Sequence, residues 1–175
     1  KTGKVGFFQL RLKKYSQNKK MIIGEKIKNI CKKNKVKLII NDDPLLALKL
    51  NADGCHLGQE DMNIKIAKKI LGKKIIGITC HNSINLARKA IKAKADYIAF
   101  GAFNQSKTKK TKYLASVNIL NKVKKFTKTP IVAIGGINSV NYKNLLLNNA
   151  NFLAISGYIW KNKKYKPLQA IEKLK

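Results

Sequence analysis

The sequence alternates between short apolar runs and segments with helical periodicity, and this alternation recurs seven times along the chain. A short apolar run bounded by polar residues or glycine predicts a buried strand. Apolar residues spaced three and four apart predict an amphipathic helix. Strands that alternate with helices pair in parallel through right-handed crossovers. The sequence therefore predicts an α/β fold with a parallel sheet, in a single domain over residues 1–175.

The ends of the predicted strands distinguish two ways of arranging such a sheet. The strands are predicted at Val5–Leu10, Leu38–Ile40, Gly54–Leu57, Ile75–Thr79, Tyr97–Gly101, Ile131–Ile134 and Phe152–Ile155. The helices are predicted at Met21–Asn34, Leu45–Leu50, Ile64–Leu71, Ile84–Ala93, Val117–Phe126 and Asn138–Leu147, with a last one ending near Leu174. A polar residue or glycine stands at or just beyond each strand end. Barrel enzymes build sites from many such tips, whereas an open sheet uses one switch point. We expect a (β/α)8 TIM barrel of which seven units are visible and the first strand-helix unit is missing.

The charge of the chain is strongly positive, with 38 Lys and Arg against 8 Asp and Glu and a formal net charge of +30. Only Arg11 and Arg88 are arginines, and the lysines recur along every predicted helix. Base reading and bidentate phosphate contacts favour arginine. The pattern thus favours a solvated lysine-rich surface, and a nucleic-acid partner is not expected despite the charge.

Three cysteines, Cys31, Cys55 and Cys80, lie in apolar or helical patterns without the spacing of metal ligands. An odd number of such residues predicts buried thiols in a reducing compartment, which indicates a cytoplasmic location. No apolar stretch is long enough for a membrane span, and no signal peptide is visible. The sequence leaves homo-oligomerisation open.

Five of the eight acidic residues fall between Leu38 and Asp61, near the ends of two neighbouring predicted strands. Tips of parallel strands meet at the same edge of a sheet. Mg²⁺ takes one or two carboxylates together with waters and phosphate oxygens. The cluster favours a Mg²⁺ site on these two neighbouring loops. The alternative is that Asp42 and Asp61 only cap the helices that follow them.

Basic and hydroxyl side chains at other strand ends predict contacts with anions. Gln9, Arg11 and Lys13 alternate at the first strand end, and a guanidinium beside an ammonium suits a diphosphate. The segment from Ser106 to Lys109 offers two hydroxyls, backbone N–H groups and lysine to a phosphate. An ordinary basic surface is the alternative in both places.

Glycines follow the last two visible strands, in Gly135-Gly136 and Ser156-Gly157. A backbone without Cβ can approach an anion closely, and the last two tips of a barrel are a common phosphate-binding corner. The alternative is a pair of tight turns. His56 and His81 also lie near strand ends, but no base–nucleophile pair is readable, so we interpret both as positioning or packing residues.

Eight short motifs occur in an order that resembles the thiamine phosphate synthase (thiamine-phosphate pyrophosphorylase) family. They are QLRLK, NDD, GCHLGQED, IIGITCHN, DYIAFGAF, SKTK, VAIGGI and AISG, and they span Phe7 to Ile159. The resemblance implies a (β/α)8 barrel and a transferase of thiamine biosynthesis. Such an enzyme joins hydroxymethylpyrimidine diphosphate to thiazole phosphate and releases diphosphate and thiamine phosphate.

The resemblance also implies a role for individual residues. It assigns Mg²⁺ to Asp42 and Asp61, and catalytic roles on the leaving diphosphate to Arg11, Lys13 and Lys109. It assigns the pyrimidine substrate to Gln9, Arg11, Lys13, Asn41 and Thr79. It assigns the thiazole phosphate to Ser106, Thr108, Gly136, Ile155 and Ser156. The sequence departs from the family pattern at Ala102, Asn104 and Gln105.

Two other functions remain as alternatives. A thiazole tautomerase-like relative on the same fold would share the glycine motifs but tends to lack the acidic pair. The second alternative is a non-enzymatic basic protein that binds phosphate or nucleic acid, which salt-sensitive and Mg²⁺-independent affinity for polynucleotides would support.

Overall fold

The computed structural model describes residues 3–105 and 113–174 and shows strands alternating with helices. The strands are β1 (Phe7–Leu10), β2 (Lys37–Asn41), β3 (Gly54–Leu57), β4 (Ile75–His81), β5 (Tyr97–Gly101), β6 (Ile131–Ile134) and β7 (Phe152–Ala154). The helices are α1 (Gln17–Lys33), α2 (Pro44–Lys49), α3 (Ile64–Leu71), α4 (Ile84–Lys92), α5 (Asn118–Lys124), α6 (Tyr142–Leu147), α7 (Gly157–Trp160) and α8 (Pro167–Glu172). The chain divides into two compact units, Gly3–Ile78 and a second that begins at Thr79.

In the first unit, β1 to β4 pair in parallel in the order of the sequence. The central strand β2 is buried on both faces, with Leu38, Ile39 and Ile40 at most 1% exposed. A parallel sheet that is covered on both faces has such a continuous apolar run in place of an alternating one. Strand β3 is buried along its whole length as well, so β2 and β3 together form the core of this unit.

In the second unit, β5, β6 and β7 also pair in parallel and in sequence order. Ile98, Phe100 and Ile131 are fully buried and form its core. On the outside, the guanidinium of Arg88 on α4 lies 4.4 Å from the ring centroid of Phe126, just beyond α5. Each strand is followed by a helix, as the alternation predicts.

Several element bounds differ from those that the sequence predicts. Helix α1 begins at Gln17 instead of Met21, because Ser16 caps it and its Oγ accepts a bond of 3.4 Å from the Lys19 N–H. Strand β4 continues two residues beyond Thr79, to His81. The last segment forms two short helices, α7 and α8, where one was expected.

The prediction of a parallel α/β fold with seven strand-helix units is confirmed. An eighth strand is absent from residues 3–105 and 113–174, so these residues do not show a complete eight-stranded barrel. The prediction of a single domain stays a prediction. None of the described helices is both long and apolar enough to cross a bilayer.

Candidate active site

Asp42 lies in the turn after β2 and adopts a left-handed backbone conformation with φ +67°. Its backbone N–H donates to the carbonyl of His56 on β3, at 2.8 Å. This bond extends the pairing of β2 and β3 by one residue beyond the end of β2. The position of the Asp42 side chain is therefore set by two strands.

The two caps expected of Asp42 and Asp61 are supplied by their neighbours. Asp43 is the N-cap of α2, and its Oδ1 accepts a bond of 2.9 Å from the Leu46 N–H. Asn63 is the N-cap of α3 and accepts from the Lys65 N–H at 2.9 Å. The interpretation of Asp42 and Asp61 as helix caps is therefore wrong.

The carboxylate of Asp61 is positioned by the turn that follows β3. Its Oδ2 accepts a bond of 2.7 Å from the Gly58 N–H. The side chains of Asp42 and Asp61 also share a hydrogen bond. Two acidic groups from the ends of β2 and β3 thus meet, as the parallel sheet predicts.

The two carboxyl groups have opposite pKa shifts. Burial tends to raise the pKa of Asp42, but hydrogen bonds that it accepts from Lys13 and from Asp61, with the positive charges of Lys13 and Arg11, lower it overall. The pKa of Asp61 is raised, first by burial and also by the bond and the negative charge of Asp42, against the Gly58 N–H. Two neighbouring carboxyl groups show this division because the ionisation of one makes the ionisation of the other less favourable.

The basic side chains after β1 lie at this acidic pair. Nζ of Lys13 forms a 2.9 Å ion pair with Oδ2 of Asp42. Strand β1 ends at Leu10, so the alternation predicted from Gln9 to Lys13 does not extend to Lys13, which lies in a turn. The pairing of β1 with β2 ends at Leu10, which lies opposite Ile40, and the chain turns after it. Gln9, Arg11 and Lys13 are all exposed, and Asn41, at the end of β2, is half-buried.

His56 and Cys55 lie beneath the acidic pair and are buried. Burial lowers the pKa of His56 to about 4, against the opposing charge of Asp42, so the imidazole is neutral at pH 7. Burial, with the charges of Asp42 and Asp43, raises the pKa of Cys55 to about 12. Cys31 and Cys80 are buried as well and form no disulfide, which confirms the predicted buried thiols.

A cation at this edge would find two carboxylates from the protein. Among the described residues, no group of three or more His, Cys, Asp and Glu side chains has the arrangement of a metal site. Mg²⁺ commonly takes one or two carboxylates and completes its shell with water and substrate phosphate. The donor set of Asp42 and Asp61 fits that ion.

In the second unit, Gly136 follows β6 with φ +63°, a conformation that glycine adopts without strain. Its carbonyl accepts a bond of 2.9 Å from Nδ2 of Asn141, whose Oδ1 in turn accepts from the Asn138 N–H at 2.8 Å. A Cβ on Gly136 would come within 2.6 Å of Cβ of Asn104. The space beside Gly136 is thus occupied by Asn104 of the same chain.

The remaining predicted residues of the second unit lie near strand ends. Thr79 is in β4 and is half-buried, as is Ile155 after β7. Ser156 precedes α7 and is exposed, and its hydroxyl makes no capping bond to that helix. Ser106, Thr108 and Lys109 lie outside the described residues.

The sequence analysis missed two features of these turns. One is the ion pair of Lys13 with Asp42, which needs the register of β1 on β2. The other is the support of Gly136 by Asn141, for which the only available signal was two asparagines three residues apart after the glycine pair. Both contacts depend on the residue at which a turn ends, which local sequence patterns do not determine.

A parallel α/β fold that presents paired carboxylates and a lysine at its strand ends is that of an enzyme acting on an anionic substrate. A family model described as thiamine monophosphate synthase matches residues 1–159. A thiamine-phosphate synthase from Pelagibacter ubique is 70% identical over 172 residues, which cover 98% of this chain and 83% of the relative. One from Nitrosomonas eutropha is 41% identical over 155 residues, covering 88% and 73%.

One solved structure belongs to the same family, and another shares only the fold. A thiamine phosphate pyrophosphorylase from Pyrococcus furiosus is similar with a TM-score of 0.88 and 28% identity, covering 97% of this chain and 80% of that one. A 3-hexulose-6-phosphate synthase shares the fold with a TM-score of 0.72 at 14% identity, covering 98% and 86%. The chain belongs to the thiamine monophosphate synthase family and is a transferase. The comparisons do not favour the tautomerase-like or the non-enzymatic alternative.

Proposed function

We propose that this chain joins hydroxymethylpyrimidine diphosphate to thiazole phosphate, releasing diphosphate and forming thiamine phosphate. The observation that carries the proposal is the cluster of Lys13, Asp42 and Asp61 at the ends of β1, β2 and β3. A site for a diphosphate needs positive charge for the oxygens and carboxylates for a cation. Lys13 and the two carboxylates offer these groups together.

Each substrate is assigned to residues that resemble the family motifs. Gln9, Arg11, Lys13, Asn41 and Thr79 would hold the pyrimidine diphosphate. Ser106, Thr108, Gly136, Ile155 and Ser156 would hold the thiazole phosphate, and Lys109 would contact the diphosphate. The exposure of Arg11, Lys13 and Ser156 is consistent with contact to a ligand.

Asp42 and Asp61 would hold Mg²⁺, which would supply positive charge to stabilise the leaving diphosphate. Burial alone would raise the pKa of Asp42, but the ion pair with Lys13 helps to lower it, which favours the ionised form that a cation needs.

The reaction breaks the bond from the pyrimidine methylene to the diphosphate oxygen, and the electron pair leaves with the diphosphate. Arg11 and Lys13 stabilise the charge that builds on this leaving group. The ring of the pyrimidine stabilises the methylene cation, and the thiazole nitrogen donates the pair that forms the new C–N bond. No side chain must remove a proton, which agrees with a neutral His56 and an unreactive Cys55.

We further propose a (β/α)8 barrel to which this chain contributes seven strand-helix units. The similarity to the pyrophosphorylase from Pyrococcus furiosus supports it, because the match covers 97% of this chain. A cytoplasmic location is supported by Cys31, Cys55 and Cys80, which are buried and form no disulfide. The partners would be the two small substrates, without a nucleic acid.

The test is product formation by the purified protein from both substrates, before and after chelation and with Mg²⁺ restored. Thiamine phosphate that disappears on chelation and returns with Mg²⁺ is the expected result. A saturated, folded protein that forms no product would exclude the synthase. Isomerisation of the thiazole alone would then indicate the tautomerase-like function, and salt-sensitive binding of polynucleotide the non-enzymatic one.

A further inference from the structure

We propose that His81 is a positioning residue for the glycine turn at Gly135 and Gly136, and that it acts through the ring of Tyr113. The inference rests on the proposed function, since that turn is assigned to the thiazole phosphate. All the contacts that carry it lie in the second unit, between described residues.

The backbone at His81 has φ +51°, although the residue is not glycine. It is the last residue of β4, and the Ser83 N–H donates to the Cys80 carbonyl at 3.0 Å to close the turn behind it. The left-handed conformation is unfavourable for a residue with a Cβ, so surrounding contacts must maintain it. At His81 it places the imidazole beside Tyr113.

The rings of His81 and Tyr113 have centroids 4.5 Å apart and planes inclined at 36°. This separation falls within the range of favourable aromatic pairs. Tyr113 is 53% exposed, so neighbouring residues cover its side chain only in part. The contact with His81 therefore restricts the Tyr113 side chain.

Tyr113 is joined through its backbone to the residue after β5. The Ala102 N–H donates to the Tyr113 carbonyl at 3.1 Å, and the Ala115 N–H donates to the Ala102 carbonyl at 2.8 Å. These two bonds enclose Ala102 between residues 113 and 115. A displacement of Tyr113 would move Ala102 with it.

Ala102 and the two residues after it lie directly on the glycine turn. The Phe103 N–H donates to the Ile134 carbonyl at 3.2 Å, and the Asn104 N–H donates to the Gly135 carbonyl at 3.1 Å. The space that a side chain on Gly135 would occupy is filled by Ala102. The contacts thus run without a gap from His81 through Tyr113 and Ala102 to Gly135.

The variants for the test are His81→Ala, which removes the ring, and His81→Phe, which keeps a ring of similar size. Tyr113→Ala removes the partner ring and serves if His81→Ala does not fold. Arg88→Ala is the matched control, because it also deletes a side chain that covers a ring, 4.4 Å from Phe126 on the outside of the same unit.

The first readout is independent of activity. We expect His81→Ala and Tyr113→Ala to shift the backbone amide resonances of Ala102, Gly135 and Gly136 in ¹⁵N-labelled protein. His81→Phe and Arg88→Ala should leave them in place. Unmoved resonances in both alanine variants would overturn the positioning role, whether or not the parent makes thiamine phosphate.

The second readout is steady-state kinetics with each substrate varied in turn. An aromatic pair corresponds to a factor of about two to ten in an equilibrium constant, so we expect His81→Ala to raise KM for thiazole phosphate by about that factor. KM for the pyrimidine diphosphate and kcat should change less, and His81→Phe should restore the parent value. An equal rise in both KM values, or no rescue by phenylalanine, would contradict the proposal.

The two proposals fail in different ways. A parent without synthase activity whose glycine resonances still move in His81→Ala would refute the synthase and leave the positioning contact in place. If the parent is active but His81→Ala changes neither KM for thiazole phosphate nor the glycine resonances, only the positioning role is refuted.

Discussion

Nζ of Lys13 lies 2.9 Å from Oδ2 of Asp42, so a lysine beyond β1 is ion-paired with the first carboxylate beyond β2. Asp42 also shares a hydrogen bond with Asp61, which comes from the end of β3. Three successive strand ends therefore meet at one charged cluster. The roles proposed for its members differ, and each can be tested separately.

Replacing Lys13 by Met should raise the pKa of Asp42, because the bond and the positive charge that lower it are lost. It should also reduce kcat by about a hundredfold, the usual effect of removing one group that stabilises charge on a leaving oxygen. Carboxyl ¹³C NMR titration of the metal-free protein measures the first effect, and steady-state kinetics the second.

Lys28→Met is the control for Lys13→Met. Lys28 also pairs with a carboxylate, at 3.2 Å from Glu25 on the surface of α1. Its replacement should leave both the Asp42 titration and kcat unchanged. Equal losses of activity in the two variants would mean that the effect of Lys13 comes from net charge alone.

Asp42→Asn and Asp61→Asn should each lower activity by on the order of a hundredfold or more, because the amide removes a charged ligand for the cation. Mg²⁺ binding, measured by calorimetry, should weaken in both. Asp43→Asn is the control, since asparagine is as good an N-cap as aspartate for α2. A normal Mg²⁺ affinity in Asp42→Asn would contradict the assignment.

The stability of the protein should depend on pH through His56, whose pKa is lowered to about 4 by burial. The unfolded chain binds a proton at this imidazole near pH 6.5, so it holds more protons than the folded one between pH 6.5 and 4. Stability therefore rises with pH across that window. Lowering the pH from 7 to 4 should cost about 3 kcal/mol through this residue.

Urea unfolding of the parent and of His56→Gln at pH 4, 5, 6 and 7 measures this dependence. Glutamine cannot take up a proton in this pH range. Between pH 7 and pH 4 the variant should therefore lose about 3 kcal/mol less stability than the parent. The glutamine variant is compared with itself across pH, which removes any constant loss of packing. An unchanged slope would show that His56 does not carry the effect.

Gly136→Ala should destabilise the protein and raise KM for thiazole phosphate. Its φ of +63° disfavours any other residue, and the new methyl would press on Asn104. Gly72→Ala is the control, because Gly72 has φ +59° but nothing within 4 Å of a Cβ. Strain alone costs roughly 1–2 kcal/mol, and overlap adds about 1–3 kcal/mol.

Thermal unfolding of both glycine variants separates strain from overlap. Equal losses of stability would mean that Asn104 moves aside without cost. A normal KM for thiazole phosphate in a folded Gly136→Ala variant would contradict the role assigned to the turn. Gly72→Ala should keep the parent KM.

Local sequence signals predicted the elements whose ends carry their own markers. The bounds of β3, β5 and β6 agree with the structure because glycine or polar residues bracket short apolar runs. Helix α3 agrees because Gly72 ends it. The start of α1 was wrong, since Ser16 caps four polar residues that carry no apolar periodicity.

The order of the motifs and the clustering of acidic residues were enough to indicate the family and the two metal candidates. Strand position and residue type alone could not tell Asp42 from Asp43, and the resemblance to the family motif made that choice. Both follow β2, and either carboxylate has the chemistry of a cap or of a ligand. The structure separates them, because Asp43 bonds to the Leu46 N–H while Asp42 bonds to Lys13 and Asp61.

The sequence by itself determined the alternation of strands and helices, because apolar periodicity is a local property that neighbouring residues express together. It also determined which strand ends carry charge. Only the tertiary structure decided which side chains meet, such as Lys13 with Asp42 or His81 with Tyr113. Those contacts depend on strand register and on single left-handed residues, which are fixed by packing between segments distant in the chain.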